Sequence, residues 1–316
     1  MKRKIQRKSE DITINEAFQE YIQEKEVNGL AKSTIRNYTL SFKVFFEYNE
    51  FDEKTTFAEI SEGMLMKWLN HMRKIEITPA SMNHYIRDIR AFFRWANKKE
   101  YMETDFELKQ VKAQEETPKF FKDEDIEKLL EKPLPRDEFP EWRMWAIVNT
   151  ILATGARGST ICEMRITDID FNKKEIALAH TKNKKANNIP LSPSLENALK
   201  EYTRRFAVVN YLFPNVGDEQ LTMNALAHAF ARYCARREVE QTNIHGLRHS
   251  FARSWIKNGG SALALQKILG HSTLSMTQRY VRLYAEDLKE DYEDFSALDV
   301  IKKKSRRTSQ FKRDGK

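Results

Sequence analysis

Apolar side chains in the first third of the chain recur at the spacing of α-helices. The first apolar face follows the spacing i, i+4, i+7 and i+8 and consists of Ile14, Phe18, Tyr21 and Ile22. Three further helical patterns begin behind serines that are candidate N-caps, at Ser33, Ser61 and Ser81. Together these patterns predict a helical domain over residues 12–106.

The pattern changes in the second half of the chain. Residues 107–119 are polar, poor in apolar side chains and contain a proline, which is typical of a linker. Helical patterns resume near Phe120, and then short alternating segments are separated by turn-forming residues at 172–174 and 183–188. Helical patterns return from Ser194. We therefore expect a mainly α protein with a small antiparallel β-sheet, whose second domain covers residues 120–290.

Charge is concentrated at the two ends of the chain. The net charge is +8, but residues 1–8 carry five basic groups and no acid, and residues 301–316 carry eight basic groups and one acid. The remainder is therefore mildly acidic, and charge alone favours nucleic-acid binding only weakly. We expect a basic arm over residues 1–11 and a basic tail within residues 291–316.

Composition narrows the class of protein further. No apolar run approaches the roughly 18 residues that a membrane span needs. The first residues lack the apolar core of a secretory signal. Cys162 and Cys234 provide neither a disulfide framework nor the spacing of a metal site. These features predict a cytoplasmic protein with reduced thiols.

The segment HGLRHSFARSW, residues 245–255, places His245, Arg248 and His249 beside an apolar stripe. Buried cores avoid such groups unless they have partners, so an anion is one explanation. His245 and Arg248 are three residues apart and share one face of a helix, which Thr242 or Asn243 would cap. A capped helix end with solvated side chains explains the same spacing.

Four more residues fit the needs of phosphoryl transfer, which requires a nucleophile, cationic donors and an acid. Arg157 follows a Thr-Gly turn, although an ion pair with Glu163 would also explain it. Lys182 lies in a strand-turn segment and is otherwise a charged hairpin tip. His271 follows a helix-ending glycine, and Tyr280 comes nine residues later. A tyrosine has a pKa of about 10, so a nucleophilic role needs nearby positive charge or a base. A tyrosine in such a position is, on its own, more often a core or interface aromatic.

The order and spacing of these residues resemble the tyrosine recombinases of the phage integrase family. The resemblance is carried by TGAR, TDIDF, TK before NIPL, HGLRHSFA and LGHSTLSMTQRY, and it covers residues 12–285. In the first domain, KSTIRNY and SMNHYIRDIRAFFRWA resemble the helical, SAM-like core-binding domain of that family. The resemblance implies an α+β catalytic domain behind this helical domain.

The resemblance also implies a reaction. Tyr280 would attack a DNA phosphate, form a 3′-phosphotyrosyl link and release a 5′-hydroxyl. Lys182 would protonate the departing 5′-oxygen, and His245 would help to deprotonate the nucleophile. The phosphodiester bond energy would be kept in the phosphotyrosine, so neither ATP nor a divalent metal would be required, and no cofactor is expected.

The remaining roles implied by the resemblance concern the phosphate. Arg157 and Arg248 would clamp its non-bridging oxygens, and His271 would donate a hydrogen bond to it. Many members of the family carry an acid three residues after the first arginine, where this chain has Thr160. Threonine in place of this acid leaves Arg157 without the carboxylate that would otherwise orient its guanidinium.

The expected partners are DNA and further copies of the chain. Arg87, Arg90 and Arg94 form one stripe of a helix, which is either a solvated face or, given the resemblance, a surface for DNA phosphates. The family implies double-stranded DNA with inverted-repeat core sites and a homotetramer on synapsed DNA. Residues 291–316 would then contain the segment exchanged between subunits, and directionality or DNA-bending proteins would be accessory partners.

Four functions compete at this point. We expect a site-specific recombinase that integrates and excises a mobile element, acting at the nucleoid. A Xer-like recombinase that resolves multimers has the same residues. A type IB topoisomerase shares the chemistry but exchanges no partners, and a non-catalytic DNA-binding protein would retain only the fold.

Overall fold

The computed structural model describes residues 12–102, 106–113, 118–178, 187–271 and 273–283. The chain divides into two compact units, Met1–Glu116 and Thr117–Lys316. Among the described residues, no helix is both long and apolar enough to cross a membrane.

The first unit is helical, as its apolar periodicity predicts. Its helices are α1 (Ile14–Val27), α2 (Lys32–Tyr48), α3 (Glu62–Lys74) and α4 (Pro79–Lys98).

Capping residues explain where these helices begin. A capping box between Thr13 and Glu16 opens α1. Ser61 caps α3 as predicted, since its side chain accepts a hydrogen bond from the Met64 N–H. The predicted cap at Ser81 is wrong: proline occupies the first position of α4, and Thr78 caps it instead by accepting from the Ser81 N–H. Ser33 likewise lies inside α2, which begins one residue earlier.

The core of the first unit is rich in aromatic side chains. The rings of Phe18 and Phe42 stack at 3.7 Å between centroids, and the edge of Phe92 meets each of them. Trp68 is fully buried against Phe45. These contacts hold α1, α2, α3 and α4 together.

The second unit combines helices with a small sheet. Its described elements are α5 (Asp123–Leu130), α6 (Phe139–Thr154), α7 (Gly158–Glu163), β1 (Ile169–Asp170), β2 (Glu175–Leu178), β3 (Asn187–Pro190), α8 (Pro193–Arg205), α9 (Met223–Arg236), α10 (His245–Lys257), α11 (Ala262–Leu269) and α12 (Leu274–Leu283).

The three strands pair antiparallel in the order β1-β2-β3, which confirms the predicted fold class. Ile176 is paired with Ile169 on one side and with Ile189 on the other, so apolar side chains share one face of the sheet. Asn187 and Asn188, which were predicted to belong to a turn, instead pair with β2. Cross-strand pairing has overridden the turn preference of asparagine.

Helix α6 is the centre of the second unit and is buried on nearly every side. It ends at Gly155, which has φ +65°. A Cβ atom at Gly155 would lie 2.5 Å from Cδ1 of Phe251 in α10 and 2.7 Å from Cδ2 of Leu269 in α11. This close approach brings the ends of α6 and α11 to the first turns of α10.

Candidate active site

Glycines at the ends of two helices direct the following residues into the candidate site. Gly155 ends α6 and is followed within two residues by Arg157, and Gly270 ends α11 immediately before His271. Both glycines have left-handed backbone angles, φ +65° and +60°, which side-chain-bearing residues rarely adopt. The turns therefore bring side chains from separate helices to the beginning of α10.

Arg248 is the central cation of the site and is only 4% exposed. Its Nη1 donates to the carbonyl oxygen of Gly155 at 2.5 Å, and its Nη2 donates to that of Leu269 at 2.8 Å. Burial, followed by the positive charge of Arg157, lowers the pKa of Arg248 to about 10. Arg248 is thus still charged at neutral pH.

Arg157 lies beside Arg248 and is half-buried. Its Nη2 contacts the carbonyl oxygen of Gly270 at 3.5 Å. Over the described ranges, neither Arg157 nor Arg248 has a carboxylate within ion-pair distance, so the ion pair considered between Arg157 and Glu163 is not found there. Thr160, which stands at the family's acidic position, is buried.

His271 contacts Arg248 in a way that fixes its protonation. Its Nε2 lies 3.2 Å from Nη2 of Arg248, and its Nδ1 lies 2.9 Å from Oγ1 of Thr277. A guanidinium can only donate, so Nε2 accepts and the proton of the neutral ring is on Nδ1. Burial and then the charges of Arg248 and Arg157 lower the pKa of His271 to about 4. His271 would have to leave Arg248 to donate from Nε2 to a phosphate.

Tyr280 extends into this site from α12 and is 4% exposed. Its hydroxyl lies 2.7 Å from Nδ1 of His249, and its ring is nearly parallel to that of His271 at 6.4 Å between centroids. Burial raises the pKa of Tyr280, while the positive charges of Arg248, Arg279 and Arg157 act in the opposite direction. The hydroxyl is therefore protonated at neutral pH and needs a base to become a nucleophile.

His245 and His249 form an imidazole pair on α10. Their ring centroids are 4.6 Å apart with the planes nearly perpendicular. The N-cap of α10 is Ile244, without a side-chain capping bond, and not Thr242 or Asn243 as predicted; Asn243 still accepts from the backbone N–H of His245 through Oδ1 at 3.0 Å. Burial and then Arg248 and Arg157 lower the pKa of His245. The structure thus places His249, and not His245, in hydrogen-bond contact with Tyr280.

Five of the six predicted catalytic residues belong to this cluster: Arg157, His245, Arg248, His271 and Tyr280. The sixth, Lys182, lies outside the described residues. The sequence motifs give no catalytic role to His249, although it contacts Tyr280. Its spacing of four residues from His245 is the signal that the sequence offers, because residues four apart meet on one helix face.

The predicted DNA stripe lies in the first unit, on α4. Arg94 is exposed, as is Arg87, whose guanidinium contacts Nδ1 of His84 at 2.9 Å and the buried carboxylate of Asp88 at 3.3 Å. Arg90 is half-buried and donates to the carbonyl oxygen of Leu108 at 3.3 Å. Arg87 is held in place, and DNA contact by the stripe remains a prediction.

Comparison with known proteins identifies the family. The model of the phage integrase family matches residues 119–287, and that of the phage integrase SAM-like domain matches residues 13–111. The chain therefore belongs to the phage integrase family, whose members are tyrosine recombinases. The tyrosine recombinase XerA of Pyrococcus furiosus is 29% identical to it over 291 residues, covering 91% of this chain and 96% of the relative.

Solved structures share the fold at lower identity. XerH recombinase bound to palindromic difH DNA gives a TM-score of 0.69 with 22% identity and covers 87% of this chain and 83% of that chain. The Tn1549 transposon integrase in complex with a circular intermediate DNA gives 0.69 with 18% identity, covering 85% and 95%. A lambda integrase tetramer bound to a Holliday junction gives 0.69 with 17% identity, covering 86% and 78%.

Proposed function

We propose that this protein is a site-specific recombinase in which Tyr280 attacks a DNA phosphate held by Arg157 and Arg248. The observation that carries the proposal is the arrangement of these two guanidinium groups. The positive charge of both acts to lower the pKa of the buried Tyr280, and over the described residues they donate to backbone carbonyls instead of carboxylates. Such cations are ready for an anion that enters from outside the chain.

A phosphate supports each step of this chemistry. Its non-bridging oxygens accept from Arg157 and Arg248, which stabilise the charge that accumulates in the transition state. Oη of Tyr280 forms a bond to phosphorus while the bond to the 5′-oxygen breaks, and the 5′-oxygen leaves with a proton. We assign that proton to Lys182 on the family resemblance. Rejoining reverses the step, so the chemistry itself consumes neither ATP nor metal.

DNA and further copies of the chain are the proposed partners. The SAM-like unit would use Arg87, Arg90 and Arg94 for phosphates, and residues 120–290 would form the catalytic domain behind a linker at 107–119. XerH on difH DNA and the lambda integrase tetramer on a Holliday junction support duplex DNA with paired sites and a tetrameric synapse. Residues 291–316 would contain the exchanged segment, and the protein would act at the nucleoid of the cytoplasm.

Two uses of the reaction have support. One structural neighbour is the integrase of the transposon Tn1549, which favours integration and excision of a mobile element. The XerA relative instead matches over 91% of this chain, which suits a Xer-like recombinase. The trapped DNA site distinguishes them, because the ends of an element differ from a single chromosomal site.

Covalent capture tests the proposal. Purified protein is incubated with nicked genomic fragments from its source organism, denatured in SDS, and the DNA that remains attached is sequenced. Attached fragments that share an inverted repeat, and are absent for Tyr280→Phe, are the expected result. Tyr211→Phe, a half-buried tyrosine outside the site, is the matched control and should capture normally. Scattered sequences would favour a topoisomerase, and capture by Tyr280→Phe would refute the role of Tyr280.

A further inference from the structure

The hydroxyl of Tyr280 is in hydrogen-bond contact with a residue that the family resemblance leaves without a role. Nδ1 of His249 lies 2.7 Å from Oη of Tyr280, a normal length for a hydrogen bond between a hydroxyl and an imidazole. The two residues are 31 positions apart and lie on α10 and α12. The contact therefore depends on how these helices pack and cannot arise from local sequence.

We propose that His249 is the base that takes the proton from Tyr280 as the tyrosine attacks DNA, an inference that rests on the proposed function. The O–H bond of Tyr280 breaks and its proton moves to Nδ1 of His249. Oη then bonds to phosphorus, the bond from phosphorus to the 5′-oxygen breaks, and the 5′-oxygen takes a proton from Lys182. In rejoining, Nδ1 returns the proton to Oη.

The other two imidazoles are placed less well for this task. His271 uses Nε2 to accept from Arg248 and Nδ1 to donate to Thr277, so its one acceptor nitrogen is already engaged and is not available to Tyr280. His245 meets the ring of His249 at 4.6 Å and forms no hydrogen bond with Tyr280 within the described residues. Among these three imidazoles, His249 is the one that contacts the reacting oxygen directly.

The charges around His249 keep it available as a base. It faces His245 and Arg248 from its own helix, Arg279 and Tyr280 from α12, and also His271. Burial, followed by His245, Arg248 and Arg279, lowers the pKa of His249 to about 4, so the ring is neutral at pH 7. A bound phosphate would offset part of the arginine charge and strengthen the base when DNA is present.

Cleavage kinetics test the role of His249. The probe is a nicked duplex carrying the site recovered by covalent capture, and the variants are His249→Ala and His249→Asn, with exposed His228→Ala as control. We expect cleavage to slow about 10²–10⁴-fold in both His249 variants and not in the control. Free imidazole should restore part of the rate of His249→Ala, which a purely structural loss would not allow.

A sulfur substitution separates the two proton transfers. A duplex with sulfur at the bridging 5′ position has a leaving group that needs no acid, so it should rescue Lys182→Ala but not His249→Ala. Rescue of His249→Ala by sulfur without rescue by imidazole would overturn the proposal. Cleavage by His249→Ala at or above the wild-type rate would also overturn it, and would indicate that the contact restrains the tyrosine.

A DNA-free measurement keeps this inference separate from the proposed function. If the wild-type protein forms no covalent product, the proposed function itself fails. Nitrogen-15 NMR of labelled histidines reports the tautomer of His249 in the folded full-length protein. The role as base requires the Nε2–H tautomer with Nδ1 accepting from Tyr280, and a shift of Nδ1 in Tyr280→Phe. An Nδ1–H tautomer would contradict the inference without any DNA reaction.

Discussion

Replacing Gly155 by alanine should destabilise the second unit and displace the site at the same time. The residue combines three demands: φ of +65°, close contacts to Phe251 and Leu269, and a carbonyl oxygen that accepts from Nη1 of Arg248. Alanine keeps the carbonyl, but it meets the first two demands only with backbone strain and movement of its neighbours. Since the hydrogen bond to that carbonyl positions Arg248, a shift of the carbonyl should also displace the guanidinium that would bind the anion.

The expected cost has two components. A left-handed conformation costs an alanine about 1–2 kcal/mol. A Cβ atom at 2.5 Å and 2.7 Å from side-chain carbons in a packed core adds about 1–3 kcal/mol for the shifts that relieve it. The free energy of unfolding should therefore fall by about 2–5 kcal/mol. With a urea slope of about 2 kcal/mol/M, the midpoint would move down by about 1–2.5 M.

Gly29→Ala is the matched control. Gly29 has φ +73°, but a Cβ atom added there would meet no atom within 4 Å. Its substitution should therefore cost the first unit only the conformational component of about 1–2 kcal/mol. Hydrogen–deuterium exchange in urea, read by mass spectrometry on peptides from α6 and α1, reports the two units separately. Equal losses at Gly155 and Gly29 would refute the packing argument.

Three further outcomes follow from the structure. Burial and then nearby positive charges lower the pKa of His249 and of His271 from 6.5 to about 4 in the folded protein. The unfolded chain therefore binds more protons between these values, so urea midpoints of the second unit should fall as pH drops through this window; flat midpoints would contradict it. Arg94→Ala should reduce the slope of log affinity against log salt by about 1, measured by fluorescence anisotropy on duplex DNA, whereas an unchanged slope would exclude phosphate contact. Burial raises the pKa of Cys162 to about 11 and of Cys234 to about 12, so a disulfide thiol reagent at pH 8 should react only after unfolding; rapid labelling of the native protein would disagree.

Much of the fold is readable from the sequence because it depends on local periodicity. The apolar faces of α1 to α4 follow the helical repeat, and Ile176 and Leu178 alternate as a half-buried strand does. Boundaries are less readable, since they depend on competition between neighbours. Helix α4 begins at Pro79 with Thr78 as its N-cap, and not behind Ser81. Asn187 pairs with β2 and is therefore part of a strand, although its residue type favours a turn.

The residues of the site are readable from their order along the chain, but their contacts are not. Arg248 reaches the carbonyl of Gly155, 93 residues away, only because α6 packs against α10. The link from His249 to Tyr280 likewise depends on the packing of α10 and α12, and no local pattern specifies it. A family resemblance identifies the positions that chemistry uses, whereas the hydrogen-bond partner of the nucleophile comes from tertiary structure.

The most direct test of the central claim is to locate the covalent bond between protein and DNA. The captured complex is digested with nuclease and protease, and mass spectrometry identifies the peptide that retains a nucleotide. We predict a 3′-linked nucleotide on Tyr280, together with a free 5′-hydroxyl on the cleaved strand that polynucleotide kinase can label. A nucleotide on another residue, or a 5′-linked nucleotide on Tyr280, would contradict the account.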